Sequence, residues 1–400
     1  MTTGIMTRGA ASRRAPGLHF VELRPAPVAP ERPVHGKPVF VGFGARSSRV
    51  PTASRQVLEL TSWEHFCAWV DVPSGGYLDD AVRGFFANGG TGCAVLPVEA
   101  GADRLKQPFD DDGVLEDLDD VDLVCVPDAV SAGSDPAVLK GIQSAVLRHC
   151  EAMGDRFAIL DAAPVARSAS GGDGDRIEQL IGQSHWHKTR FGALYFPWLR
   201  TGAGGQGLVP PCGHVAGQYA RADRRAGVHK APANEVVEGV VALECALNAA
   251  QHGRLNDAGV NCIRSTAGTG IRVYGARTLS GQPDWLYVPV VRLFLALTAW
   301  LKYRMDQFVF ESHTPELWQA VERAIAAYCR DLMDSGALAG RDAESAYFVK
   351  CDAELNPSQA RDTGRLVAVV GLAPALPAEF VVVRITHDAD GIQVTGVDRS

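Results

Sequence analysis

Residues 213–235 read GHVAGQYARADRRAGVHKAPANE and lie just past the middle of the 400-residue chain. Small and apolar residues open this stretch, and basic side chains then gather around one acid. Pro232 excludes a helix running through it, whereas Asn234 is a good cap for a helix that begins after it. We therefore expect a solvated basic loop followed by a helix over residues 234–251. The charged residues that we single out in the loop are Arg221, Asp223, Arg224, Arg225 and Lys230.

Upstream of this stretch, short apolar runs alternate with segments of helical periodicity. The alternation is typical of an α/β fold, because strands covered by helices on both faces are continuous apolar runs. We predict an α/β fold class, α+β overall, with a parallel sheet in the first half. The predicted strands are 39–42, 92–98, 123–127 and 157–161, and the predicted helices are 62–70, 78–88, 136–153 and 175–183.

Downstream, the same patterns predict further strands and helices. Thr314 followed by Pro315 marks a helix start, since proline is tolerated at the first helical position. The predicted strands here are 262–265, 271–275, 347–351 and 365–371, and the predicted helices are 290–307 and 314–334.

Both ends of the chain carry a strand-like segment on a proline-rich tether. Residues 18–23 precede five prolines, and residues 380–386 (FVVVRIT) follow Pro374 and Pro377. Exposed strands invite pairing with other chains, so we expect both segments to act as arms between subunits. The alternative, that both close a sheet within their own chain, stays open. The residues expected to pair are Leu18, Phe20, Val21, Phe380, Val381, Val382, Val383 and Ile385.

Four hundred residues exceed the usual size of one hydrophobic core, so two domains are expected. We divide the chain into an N-terminal start and strand arm (1–38), an α/β domain (39–205), a second domain (206–376) and a C-terminal strand arm (377–400). The formal net charge of −7 argues against a nucleic-acid partner, which would require a basic surface. No apolar run reaches the roughly 20 residues that span a bilayer, so no membrane insertion is expected.

One alternative is a soluble α/β enzyme with a metal or nucleotide site in region 183–214. Residues 202–207 satisfy the pattern GxGxxG, but Pro210 and Pro211 follow where a phosphate-binding helix would begin. His185, His187, Cys212 and His214 are of types that bind zinc, although their spacing matches no closed structural site. We therefore expect no catalytic residue, no cofactor and no metal.

Several ordered segments, beginning with 213–234, resemble the contractile tail sheath proteins of phage tails, R-type pyocins and extracellular contractile injection systems. The resemblance covers nearly the whole chain in the order of the family. Its other segments are 261–264 (NCIR), 270–279 (GIRVYGARTL), 309–311 (VFE) with Leu317-Trp318, 346–352 (AYFVKCD) and 377–380 (PAEF), with looser matches at 15–17, 81–90 (AVRGFFANGG) and 194–198 (LYFPW).

The resemblance implies a structural subunit that polymerises as a helical stack of hexameric rings around an inner tube and contracts to drive the tube through a target envelope. It implies an outer domain over 39–205 and an inner assembly domain over 206–376. The implied partners are other copies of the chain, the inner tube, the baseplate and terminator or cap proteins. Assembly is expected in the cytoplasm, as part of a phage tail or tail-like particle. The basic cluster would meet an acidic patch on the next subunit, unless Arg221 pairs within the chain with Asp223 or Glu235.

Overall fold

The structure is a computed structural model that describes residues 35–50, 56–133, 135–164, 173–202, 207–266, 268–375, 381–388 and 391–397. In chain order its strands are β1 (Pro38–Phe43), β2 (Ala45–Arg46), β3 (Leu58–Leu60), β4 (Val70–Asp71), β5 (Cys93–Val98), β6 (Leu123–Cys125), β7 (Phe157–Asp161), β8 (Gly192–Phe196), β9 (Leu199–Thr201), β10 (Leu208–Val209), β11 (Val240–Leu243), β12 (Val260–Thr266), β13 (Gly270–Tyr274), β14 (Tyr347–Lys350), β15 (Leu366–Leu372), β16 (Val381–Asp388) and β17 (Gly391–Val397).

The helices lie between these strands along the chain and pack against the sheets. In chain order they are α1 (Trp63–Trp69), α2 (Leu78–Ala87), α3 (Ala102–Lys106), α4 (Pro136–Met153), α5 (Asp173–Ser184), α6 (Cys212–Ala226), α7 (Ala249–Asp257), α8 (Val288–Met305), α9 (Pro315–Asp334), α10 (Ala343–Ala346) and α11 (Ser358–Asp362). Short 3-10 segments occur at Gln107–Phe109, Pro127–Val130, Pro283–Trp285 and Asp306–Phe308.

A large sheet holds eight strands in the order β13-β12-β8-β7-β6-β1-β5-β3. The strands from β12 to β5 in this order pair in parallel, and β13 and β3 close the two edges in antiparallel fashion. Every residue of β1, β7 and β8 is buried, since helices α2, α4 and α6 pack against this sheet. The predicted α/β class is confirmed, and β7 and α4 have the predicted bounds.

A separate four-stranded sheet has the order β14-β15-β16-β17 and is antiparallel throughout. Helix α9 contacts β14, and α8 precedes α9 as a helix that is buried along most of its length. The helices predicted at 290–307 and 314–334 correspond to α8 and α9. Two smaller sheets have the orders β10-β9-β11 and β2-β4.

The predicted boundary at 205/206 falls inside the large sheet. Strands β12 and β13 follow that point in the chain, yet β12 pairs in parallel with β8, and β13 with β12. A cut at 205/206 would therefore divide one hydrogen-bonded sheet. The change from the large sheet to the four-stranded sheet comes later, between β13 and β14.

The helix predicted over 234–251 is wrong. Asn234 has a left-handed backbone (φ +62°) instead of capping a helix, and β11 occupies the middle of the segment. The helix that does form, α7, is capped by Asn248, whose side chain accepts from the backbone of Gln251 in a capping box. The spacing of the valines in 236–241 suggests a helix. Residues 240–243 form strand β11 instead, because they pair with β9.

Candidate functional site

Residues 212–226 form helix α6, so the prediction of a solvated loop there is wrong. The helix starts directly after Pro211, and its first backbone N–H, of Cys212, donates to Asp161 Oδ1 at 2.8 Å. An acceptor at this end and Arg224 and Arg225 in the last turn both complement the helix dipole. Gly227 (φ +97°) ends the helix. Nearly every residue from Cys212 to Ala222 is buried, so packing contributes to this helix as well as charge.

Glycines explain why α6 lies so close to α2. A Cβ at Gly213 would overlap the backbone of Ala81, and a Cβ at Gly217 would lie 2.5 Å from the carbonyl oxygen of Phe85. On the facing helix, a Cβ at Gly84 would overlap the ring of His214. Because Gly213 and Gly217 are four residues apart, they occupy one helix face. The small residues of the 213–217 segment are therefore required by a backbone-to-backbone helix contact.

A buried ion network joins α6 to α8. The guanidinium of Arg292 donates to Asp223 through two bonds, Nη1 to Oδ1 at 2.8 Å and Nη2 to Oδ2 at 2.6 Å. Its Nη2 also reaches Asp122 Oδ2 at 2.8 Å. The Arg292 and Asp223 side chains are each only 2% exposed. Burial alone would lower the pKa of Arg292, but Asp223 and Asp122 raise it above its ordinary value, so the cation is held.

The same network fixes the start of β1. The backbone N–H groups of Gly36 and Lys37 donate to the two carboxylate oxygens of Asp122, at 3.0 and 2.8 Å. Gly36 has φ +77°, and a Cβ there would lie 2.6 Å from Cα of Ala220 in α6. Burial lowers the pKa of His35, an effect that Asp122 and Asp223 oppose. The point where the chain enters the large sheet is thus attached to α6 and α8.

Sequence reasoning did not identify Arg292, Asp122 or Gly36 as functional candidates. The available signal was Arg292 itself, a lone basic residue inside the apolar run 288–301. Its acidic partners lie far away in sequence, so only the topology brings them together. A charged residue in an otherwise apolar helix signals a buried partner.

The charged residues predicted as one basic cluster have different environments: Arg221 and Asp223 bind other residues of the chain, and the remaining three are exposed. Arg221 pairs with Glu235 at 2.6 Å and donates to the carbonyl oxygen of Val236, which confirms the alternative of an intramolecular pair with Glu235. Asp223 points inward to Arg292. Arg224, Arg225 and Lys230 are exposed, with Arg224 donating to the carbonyl oxygen of Gly89 and Arg225 lying 3.3 Å from Glu235.

Two family models match consecutive parts of the chain. The phage tail sheath protein central domain matches residues 115–279, and the phage tail sheath C-terminal domain matches residues 280–387. The chain belongs to the phage tail sheath protein family. The junction of the two models, 279/280, lies in the interval between β13 and β14, where the structure changes from one sheet to the other.

Solved sheath structures match this sheath protein over almost its full length. The helical sheath of the anti-feeding prophage in its contracted state is 28% identical, with a TM-score of 0.71, covering 93% of this chain and 98% of that one. The contracted sheath complex of the extracellular contractile injection system PVC is 27% identical, with a TM-score of 0.70, covering 95% and 99%.

A curated relative, the tail sheath protein of Vibrio phage KVP40, is 28% identical over 195 residues. The match covers 47% of this chain, which spans 28% of the length of that relative. The relatives are sheath proteins, a structural class, so the chain is not grouped with enzymes and the enzyme alternative receives no support.

The predicted arm residues of this sheath protein can be located only in part. Leu18, Phe20, Val21 and Phe380 lie outside the described residues. The remaining four lie on β16, which pairs with β15 of the same chain from Leu372↔Val381 to Leu366↔His387 and with β17 on its other edge. In this single chain, β16 therefore closes a sheet within its own subunit, which is the alternative left open above.

Region 183–214, the site proposed in the enzyme alternative, consists of the end of α5, strands β8 to β10 and the start of α6. His214 is buried over Gly84, and burial lowers its pKa to about 4. After the GxGxxG segment 202–207 the chain forms strand β10, and the next helix begins only at Cys212, so no helix starts in the described residues 207–211, where a phosphate-binding helix would. Within the described ranges, no three His, Cys, Asp or Glu side chains are grouped to hold a metal ion. No helix among those residues is long and apolar enough to cross a membrane.

Proposed function

We propose that this chain is the sheath subunit of a contractile injection machine, with no catalytic activity. The subunits polymerise as a helical stack of hexameric rings around an inner tube and contract to drive the tube through a target envelope. The observation that carries this proposal is the match of nearly the whole chain to two contracted sheaths at 27–28% identity. The proposed partners are further copies of the chain, the baseplate, the inner tube and terminator proteins, with assembly in the cytoplasm.

Contraction moves whole subunits without unfolding them. The large sheet supports this proposal, because α6 is held against it by glycine contacts with α2 and by the Arg292 network. Interiors of this kind are close-packed and do not deform continuously, so a change of state occurs by rotation about interfaces. The outer role is proposed for residues 39–205 and the inner, tube-facing role for residues 206–376, of which β12 and β13 belong to the large sheet.

The strand arms would link neighbouring subunits. In the isolated chain β16 pairs with its own β15, and an assembly can form the same ladder with the strand of a neighbouring copy, as in domain swapping. The sequence between β15 and β16 supports this exchange, because it contains Pro374 and Pro377, and proline-rich linkers favour an extended chain. The N-terminal segment 18–23 would pair in the same manner. The arms then stay paired while rings rotate.

Negative-stain microscopy of the purified full-length chain, beside a chain truncated after Pro377, tests this proposal. We expect tubes or rings from the first and only monomers from the second. Thermal unfolding of the truncated chain serves as a control, because a folded monomer separates loss of assembly from loss of structure. Monomers in both samples, with metal or nucleotide binding in either, would favour the enzyme alternative.

A further inference from the structure

A tight turn after α8 places an aromatic residue where the backbone favours glycine. The N–H of Glu311 donates to the carbonyl oxygen of Phe308 at 3.2 Å, and Val309, the second residue of the turn, has φ −64° and ψ 135°. Phe310 follows with φ +68°. These values describe a type II turn, whose third position requires positive φ and is normally glycine or asparagine. Phenylalanine is therefore an unfavourable choice for this turn.

Phe310 also differs from the other residues with this backbone. In the described ranges, the non-glycine residues with positive φ are Asp112, Asn234 and Phe310. Asp and Asn visit the left-handed region because their short polar side chains bond locally, whereas a bulky residue there is an outlier. Strained positions persist where function requires them.

The side chain of Phe310 is not buried in the described part of the subunit. Its relative exposure is 103%, the highest among the exposed large hydrophobic residues of the described chain. Tyr303 and Val309, only a few residues before it, are exposed as well, at 50% and 37%. Three exposed hydrophobic residues within eight positions form a concentration that marks interaction surfaces. Both the backbone strain and the exposure are unfavourable, and the described residues of the subunit do not bury the Phe310 side chain.

We infer that Phe310, presented by the turn 308–311, anchors the contact of each subunit with a second copy of this chain. This inference rests on the proposed function. A polymer that does not close needs a protruding group on one part of the subunit and a receiving surface on another. We assign the receiving surface to β14, where Phe348 is 39% exposed and its ring lies over Gly371. Aromatic side chains are frequent anchors of interfaces, since they bury a large area with few rotatable bonds.

The substitution Phe310→Gly tests the inference, because it is expected to change stability and assembly in opposite directions. Glycine relieves the backbone strain, so the melting temperature of the monomer should rise by a few degrees. Loss of the ring should raise the protein concentration needed for tube formation about tenfold or more. Calorimetry and sedimentation of the full-length chain measure the two effects.

Asp112→Gly is the matched control. It makes the same backbone change at an exposed left-handed residue but removes no aromatic ring. We expect it to change the stability of the monomer little and to leave tube formation unchanged, and Phe310→Tyr should assemble like the wild type. Tubes formed by Phe310→Gly at the wild-type concentration would overturn the inference, as would an equal assembly defect in Asp112→Gly.

A photoreactive phenylalanine analogue at position 310 identifies the occupant directly. Cross-linked dimers of this chain in illuminated assemblies are the expected result. Exclusive cross-links to another protein, such as an inner tube, or no cross-links at all, would overturn the inference while leaving the proposed function intact. A wild-type chain that forms no tubes would instead overturn the proposed function itself.

Discussion

Neighbouring charges on helix α6 have opposite environments. Asp223, 2% exposed, is held between the helix and Arg292 of α8, whereas the next two residues, Arg224 and Arg225, lie on the solvent side. The Arg225 side chain is 70% exposed. The sequence presents these residues as one basic cluster. In the structure the inward charge binds Arg292 within the fold, whereas the outward charges of Arg224 and Arg225 are exposed to solvent.

The difference has an energetic basis. A buried ion pair stabilises a fold only when its geometry is good, and removing one partner leaves the other charge unpaired in a dry site. An exposed pair contributes little, because water and salt screen it. We therefore expect substitutions on the inner face of α6 to change folding, and substitutions on its outer face to change assembly with little effect on folding.

The largest effect is expected from Arg292→Met. It removes the cation that faces Asp223 and Asp122 while keeping a side chain of similar length. Leaving Asp223 buried and unpaired should lower the free energy of unfolding by about 3–5 kcal/mol, measured by urea denaturation. The control is the double variant Arg292→Met with Asp223→Leu, which removes the cation and its most buried partner, leaves Asp122 bound to the N–H groups of Gly36 and Lys37, and should recover most of the loss. A double variant as unstable as the single one would mean that packing, not charge, is the function of the pair.

Asp161, which accepts from the first N–H of α6, should give a pH-dependent effect. Burial raises its pKa to about 7, although the Cys212 hydrogen bonds oppose the shift. The folded state thus holds a proton that the unfolded state loses above pH ~4. Its contribution is present below that pH and is lost, at about 1.4 kcal/mol per pH unit, as the pH rises to about 7. In Asp161→Asn this slope should vanish; an identical slope in both proteins would assign the titration to another group.

The contact between α2 and α6 should tolerate no added methyl group. In Gly217→Ala the new Cβ would lie 2.5 Å from the Phe85 carbonyl oxygen, so the two helices must separate. We expect a loss of about 1–3 kcal/mol in unfolding free energy. Gly253 in α7 is the matched control, because nothing lies within 4 Å of its Cβ position and Gly253→Ala should stabilise by roughly 0.5–1 kcal/mol. Equal effects at both positions would show that helix propensity, not contact, determines the response.

Elements with a strong local pattern could be predicted from the sequence, as β7 and α4 show. Helix α6 could not, since Gly213 and Gly217 are poor helix formers whose value appears only against α2. The helix predicted over 234–251 was wrong for a similar reason, because residues 240–243 pair with β9 and form a strand. Local propensity is a weak guide where a distant element supplies the partner.

The sequence singled out the charged residues of segment 221–230 but not the buried partners of Asp223. The resemblance pointed to segment 213–234 and its basic residues, but Arg292 lies 69 positions from Asp223 and 170 from Asp122. Such pairs follow from the topology of the sheet and helices, which no local pattern encodes. The C-terminal strand shows the same limit, because its existence was predicted correctly while its pairing in the chain was left between two alternatives.

The smallest effect on folding is expected from Arg224→Ala, Arg225→Ala and Lys230→Ala combined. Their contacts are exposed, so the loss should be about 1 kcal/mol, most of it from the helix dipole at the end of α6. Tube formation should weaken and become less sensitive to salt, because charge matching between subunits fixes register and is screened. Sedimentation at several ionic strengths measures this, with Arg224→Lys and Arg225→Lys as charge-preserving controls. If the alanine variant assembles with the salt dependence of the wild type, the outer face of α6 is ordinary solvated surface, and assembly must depend on other contacts, with the turn at Phe310 the first to examine.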